Sequence, residues 1–377
     1  MIDDAPSYLT DDVREVLHRA ARDSHAEGTV GQDSLKALRS SGLLAICVPA
    51  EHGGRGYDAA TANRVVEEIA TVNPSVAIML YLHCAVVVRI DAYGSGEQQR
   101  RWFARIVDDA WLAASAWSEA GGHADKRSLG TVARAAPDGS WRMTGGKTFS
   151  TSSVVADFFA VLAQVPQQQA PDGTATTGYG RDNQLILLVP ADAPGVRVPA
   201  EALPMSGMRG SGTGMVHFDE TEVAAEDLLC AGEATPQAIG LPHRLGLSLG
   251  AVSVGVAEAA LDLLLEQQRR RGPQGDTTAR QRAARLAVTV RAARAMVADL
   301  GANAPYPQAD AAYAVKVFAS TAAQAVCAEV RTLLGSAGYL QHHEINRVSQ
   351  DAEAVIHMGP PNHLCIDLLG RSLGGGD

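Results

Sequence analysis

Apolar and polar positions follow two periods along this chain, and the change of period divides it. From residue 10 to 110 the spacing is helical. Val13, Val16, Leu17 and Ala20 make one apolar stripe behind Thr10, a residue suited to cap a helix, and Asp11 and Asp12 suit the positive end of the helix dipole. Leu35 and Leu38 continue the pattern until Gly42. Leu43–Pro49 is a short apolar run, and Glu51-His52-Gly53-Gly54-Arg55-Gly56 after it reads as a loop. Asp58 can cap a helix that turns Val65, Val66 and Ile69 inward, and residues 75–93 form a largely apolar helix carrying His83. Ser95 with Gln98 has the spacing of a capping box ahead of Trp102, Phe103, Ile106 and Val107.

Near Trp111 the period becomes two. Residues 131–135, 141–144, 158–165, 184–189 and 213–218 read as strands, with Asp138-Gly139 as a turn between two of them. Residues 166–183, rich in Gln, Thr and Gly, read as a surface loop. From Pro236 the chain is helical again, over 245–271, 278–300, 309–334 and a shorter stretch after Pro361. There is no internal repeat. Helices, then strands, then long helices predict an α+β fold in three parts: an N-terminal helical domain over 1–112, a middle β domain over 113–232 and a C-terminal helical bundle over 233–377.

Composition narrows the function classes. With 32 Lys plus Arg against 42 Asp plus Glu the net charge is −10, which argues against nucleic acid as a partner. The five cysteines are dispersed, with no CxxC pair, so neither a disulfide framework nor a metal site is expected and a cytoplasmic setting is. The opening Met-Ile-Asp-Asp-Ala-Pro lacks the regions of a signal peptide. Leu245–Leu265, the longest apolar stretch, carries Glu258 and Asp262 and reads as a buried helix, not a membrane span.

The candidate chemistry begins at Ala116-Trp117-Ser118-Glu119-Ala120-Gly121-Gly122-His123-Ala124-Asp125, a strand end opening into a glycine turn whose backbone can approach a phosphate or a flat ring. This stretch is similar to the Thr-Glu-Pro-Gly-Ala-Gly-Ser-Asp motif of the acyl-CoA dehydrogenases. Four more resemble that family in order: Gly42 to Gly54, Gly146 to Ser152, Gly207-Met208-Arg209-Gly210-Ser211 with Val216 to Asp219, and Gly335-Ser336-Ala337-Gly338-Tyr339. The resemblance spans nearly the full chain. It implies a middle domain that is β-barrel-like, a C-terminal four-helix bundle, FAD held between the parts, and a homodimer or homotetramer that shares its FAD sites. The substrate it implies is a small-molecule or carrier-bound acyl thioester, on coenzyme A or a carrier protein.

Residue by residue, the resemblance places Trp117, Ser118, Gly122, His123, Phe149, Ser150, Thr151, Arg271, Gln274, Gly335, Pro360 and Asn362 along the cofactor, and Ser152, His243 and Arg244 along the substrate. Ser118 would reach the pyrimidine edge of the ring, Phe149 its flat face and Thr151 its N5, and Arg271 the pyrophosphate from a neighbouring subunit. On the residues alone, Phe149 reads as core and Thr151 as strand surface.

The chain departs from the family where the proton is removed. The family's glutamate falls at Met358 in His357-Met358-Gly359-Pro360-Pro361-Asn362, and a thioether cannot accept a proton. A second location used in the family falls near Leu245, where no acid stands. The cofactor contacts also change, to His123, Ala124, Gln274, Thr332 and Pro360. Three readings follow: α,β-dehydrogenation with His357, or more distantly His243, as base; oxygenation by reduced flavin and O2, with His83, Ser150 or Ser152 holding a peroxide; or a non-redox binding scaffold.

Overall fold

The computed structural model describes residues 7–122, 124, 126–166, 179–271 and 277–374. Most of the loop expected over 166–183 lies outside them, as do His123 and Gln274.

The chain opens with helices α1 (Asp11–Glu27), α2 (Gln32–Ser40), α3 (Ala59–Ala70), α4 (Pro74–Tyr93) and α5 (Gly96–Asp108). The starts of α1, α3 and α5 lie where the polar residues announced them. Thr10 accepts from the N–H of Val13, Asp58 from that of Thr61, and Ser95 with Gln98 forms a complete capping box. Asn73 caps α4, with Pro74 in its first turn where no N–H is needed. α4 is apolar all round because it packs on α3, on the first strand and on three later helices. Among the described residues, α4 and one later helix are long and apolar enough to cross a membrane; α4 is buried inside the fold.

Among the described residues eight strands follow: β1 (Ala113–Ala116), β2 (Val132–Ala135), β3 (Trp141–Ser150), β4 (Phe158–Gln164), β5 (Gln184–Pro190), β6 (Val196–Arg197), β7 (Gly214–Val223) and β8 (Leu228–Ala231). They form one sheet in the order β6-β7-β3-β2-β4-β5-β8, with β1 parallel to β4. Its ends, β6 and β8, do not meet. The sheet is open, and the barrel-like middle domain expected from the resemblance is corrected here. The physical reason lies in the edges. β6 has only two residues to offer and β8 only four, too few to close a ladder, and the next helix packs over β8 and β5 instead.

The helix-rich C-terminal part comprises α6 (Ala234–Arg244), α7 (Gly250–Arg271), α8 (Thr277–Ala302), α9 (Asp310–Leu334), the short α10 (Ser336–Tyr339), α11 (Glu344–His357) and α12 (Asn362–Gly374). α7 begins at Gly250 and not at Leu245, because Gly246 turns left-handed (φ +81°) and Asn63 of α3 holds the break, donating to the Gly246 carbonyl at 2.8 Å and accepting from the N–H of Ser248 at 3.0 Å. α11 was absent from the sequence-based expectation. Its inner face carries Ile345, Val348, Ala352 and Val355, but Arg347 and Asp351 are buried on the same helix as an ion pair, which hides the apolar period.

Candidate active site

One cavity of about 430 Å³ gathers residues from all three parts of the chain, a size usual for small-molecule sites. From the sheet and the residues just past β1 and β3 it takes Trp117, Ser118, Phe149 and Thr151; from the end of α6, His243; from the end of α11, His357, Met358 and the following Pro360.

The Ser118 loop is fixed from below. Glu119 accepts from the N–H groups of Gly130 and Thr131 and from Lys147 Nζ at 2.6 Å, a pair almost wholly shielded from water. Burial pushes Glu119 up, yet Lys147 and these hydrogen bonds outweigh it and hold the carboxyl below its ordinary range. The Ser118 carbonyl accepts from the Thr148 N–H at 2.9 Å, which ties the loop to β3. Ser118 Oγ accepts from Lys126 Nζ at 3.0 Å, and Trp117 donates its indole N–H to the Ala160 carbonyl at 3.1 Å.

Phe149 sits where the β3–β7 register breaks between Lys147 and Ser150. Its backbone is left-handed (φ +50°), a strained state for a bulky residue, and its ring stays 60% exposed at the cavity. An apolar ring so displayed suits a flat partner. Next to it Thr151 Oγ1 accepts from Thr213 at 3.2 Å. The hydroxyl hydrogens of Thr151 and Ser118 have no acceptor among the described residues, so both are donors in waiting. An exposed aromatic face flanked by two hydroxyl donors fits an isoalloxazine ring, which has one flat face and polar edges.

At the other wall, Lys316 of α9 donates to the carbonyls of Met358, at 2.8 Å, and Pro360, and so shapes the turn after α11. Burial lowers its pKa to about 8. Gly207 lies against α11 so closely that a Cβ would stand 2.1 Å from the Gln350 carbonyl oxygen; its neighbour Met208 donates its N–H to Asp351. The glycine of the Gly-Met-Arg-Gly-Ser stretch thus lets the loop before β7 meet the helix that ends at the site. His243 lines the cavity and is neutral: burial, with Arg89 and Lys316 nearby, pushes it down to about 3.

Other expected site residues stand elsewhere. His83 is buried outside the cavity, accepting from the Ala113 N–H at Nδ1 (3.0 Å) and bonding the Leu44 carbonyl through Nε2 (2.8 Å), which fixes a neutral tautomer with no nitrogen to spare. Burial lowers it to about 4. Ser150 donates to the Ser115 carbonyl, and Ser152 is buried with no partner for its Oγ among the described residues. Gly122, Gly335, Arg244 and Asn362 do not line the cavity; Asn362 instead donates to Ser320. Arg271 ends α7.

The cavity also holds residues that the sequence reading passed over. Gln350, Glu353 and Ala354 form a stripe on α11 at helical spacing with His357, the one member already singled out, and Arg89 and Tyr81 come from α4. The α11 stripe went unread because the helix itself did.

Three family models match in the order of the three parts: the acyl-CoA dehydrogenase N-terminal domain over 8–110, the middle domain over 114–221 and the C-terminal domain over 243–373. The chain belongs to the acyl-CoA dehydrogenase family. It is thereby placed among the flavin-dependent oxidoreductases. Cyclohexane-1-carbonyl-CoA dehydrogenase of Geobacter metallireducens is 31% identical over 354 residues, 90% of this chain and 88% of that one. Butyryl-CoA dehydrogenase from Megasphaera elsdenii shares the fold with a TM-score of 0.85 at 22% identity, over 98% of this chain and 100% of that one. FMN-bound TdsC from Paenibacillus shares it with a TM-score of 0.80 at 22% identity, over 96% and 95%.

Proposed function

We propose that this protein removes hydrogen from the α and β carbons of an acyl thioester, carried on coenzyme A or a carrier protein, with FAD as its cofactor. The observation that carries the reading is the single cavity in which Ser118, Phe149 and Thr151 meet the end of α11, the helix at which the family places its proton acceptor. When bound, the flavin supplies the acceptor for the β-hydride. The chain's own residues do the rest: Ser118 and Thr151 donate to the ring edges, Phe149 covers its face, and the cavity face of α11 takes the α-proton.

With Met358 at the usual base position, that proton goes to His357. Glu353 lies one turn earlier on the same cavity-facing stripe, placed to orient the imidazole. Met358 is also the observation that favours a second reading, oxygenation by reduced flavin, which needs no such base.

Assembly into a homodimer or homotetramer belongs to the same proposal, with boundaries near 112 and 232. Its support is the apolar surface of the C-terminal helices, where Val288 is 67% exposed, Tyr339 91% and Leu373 88%.

The test is anaerobic mixing of the oxidised holoenzyme with a panel of acyl thioesters. The flavin should bleach with at least one, and His357→Gln should slow bleaching by about a hundredfold or more, Glu353→Gln by less. No bleaching with any thioester, together with oxygen-dependent turnover of added reduced flavin, overturns dehydrogenation in favour of the second reading.

A further inference from the structure

The reaction above uses only the two carbons beside the thioester, and one wall of the cavity carries a group that it leaves unused. Arg89 lies on the α4 stripe of Ile78, Tyr81, Leu82 and Ala85 that lines the cavity, and is only 4% exposed. Part of its guanidinium has a structural task. Pro242 stands inside α6 without an N–H, so the Ala238 carbonyl four residues earlier loses its helical donor. Arg89 Nε supplies one at 2.7 Å. Its terminal nitrogens donate to the Ile239 carbonyl at 3.0 Å and the Ala85 carbonyl at 2.7 Å, and the group lies 4.4 Å from the centre of the Trp117 ring.

That leaves one N–H on each of the two terminal nitrogens with no protein acceptor among the described residues. No carboxylate among them pairs with Arg89. Among the described residues Glu353 is the only acid in the cavity lining, and it belongs to α11, not to α4 or α6. Burial brings Arg89 down to about 10, which still leaves it charged at neutral pH. A buried guanidinium that faces only neutral carbonyls and the Trp117 ring, with no counter-charge, is costly, and an anion in the cavity would offset that cost. His243, neutral and in the same lining, adds a second hydrogen-bonding group.

We propose that the cavity takes an acyl thioester whose far end carries a carboxylate, bound by the two remaining N–H groups of Arg89 with His243 beside it. A carboxylate is the anion of choice because two N–H groups on one planar fork match its two oxygens. The apolar side chains of Ile78, Leu82 and Ile239 suit the short methylene chain between the two ends. The thioester end of this assignment rests on the dehydrogenase reading; the carboxylate end does not.

The experiment uses the flavin-loaded protein and the coenzyme A thioesters of butyric, succinic, glutaric and adipic acids. Binding is read from the shift of the oxidised flavin spectrum and turnover from bleaching. At least one ω-carboxyacyl thioester should bind about tenfold or more tighter than butyryl-CoA, the value of one charged hydrogen-bonded pair. Arg89→Met should bring that ratio to about one, while Arg89→Lys keeps part of it. The ratio does not depend on the fraction of each variant that folds, and flavin content reports that fraction separately. Equal binding of all four, or a ratio untouched in Arg89→Met, makes Arg89 a staple between α4 and α6 and overturns the proposal. Bleaching without a carboxylate preference overturns it and leaves dehydrogenation standing. An Arg89-dependent preference in binding without bleaching does the reverse. No binding of any thioester overturns both.

Discussion

Single residues set the geometry of this site, and the pair Glu119–Lys147 shows how. Both belong to stretches whose family likeness was plain in the sequence, yet nothing in either stretch said that they meet. They meet because β3 runs beneath the Ser118 loop, and there the 2.6 Å contact is nearly dry. Lys147→Met would strand a shielded carboxylate and should cost about 3–5 kcal/mol by urea unfolding; a loss under 1 kcal/mol would mean that water reaches Glu119. The pH dependence follows in sign. Glu119 is held below its unfolded value, so its stabilisation is complete above the ordinary glutamate range, about pH 4.3, and is lost as pH falls through the lower folded value. Lys147 is lowered by burial to about 8, so its charge opposes folding below that pH, and the opposition fades as pH rises toward the ordinary lysine value. The melting temperature should therefore fall on acidification below about pH 4 and fall less in Glu119→Gln. Phe149 was readable only through the resemblance. Its exposure and left-handed backbone come from a register break that no local sequence pattern announces.

At the scale of elements, what was legible followed local rules. The caps at Thr10, Asp58 and Ser95 were readable because a cap depends on residues three apart. Ser95→Ala should accordingly cost about 1 kcal/mol by thermal unfolding, with flavin content unchanged, since α5 contributes nothing to the cavity lining. α11 was illegible for the opposite reason. Its buried Arg347–Asp351 pair answers to a partner far away in sequence, the N–H of Met208, and so breaks an apolar period that would otherwise have marked the helix. The turn after α11 is likewise set from outside, by Lys316 of α9. Lys316→Met would leave the carbonyls of Met358 and Pro360 without that donor and should cost about 1–3 kcal/mol. It should also slow flavin bleaching, because His357 would lose its fixed exit from the helix. Full stability with unchanged bleaching would show that the turn holds itself.

For the whole molecule, the order of helices, sheet and helices could be read from the two hydrophobic periods, but the closure of the sheet could not. Closure depends on how many residues the edge strands β6 and β8 can pair, and neither had been found in the sequence. An open sheet leaves one cavity in reach of α4, the β1 and β3 ends, and α11 together, so a ligand there is held only when all three parts are in place. Binding to the native state alone stabilises it by mass action, about 2.7 kcal/mol at a hundredfold excess over Kd. For a chain of this length that amounts to about 3 °C in Tm. FAD added to flavin-free protein should therefore raise a single melting transition by at least that amount, and riboflavin, which carries the same ring without the pyrophosphate, by less. A shift confined to one of two transitions would mean that the cavity does not join the parts. If a partner subunit completes the cofactor site, as the proposed assembly would have it, the FAD-induced shift must also grow with protein concentration, because loading then draws on association. A shift independent of concentration across the range in which sedimentation shows dissociation would place the whole cofactor site within one chain.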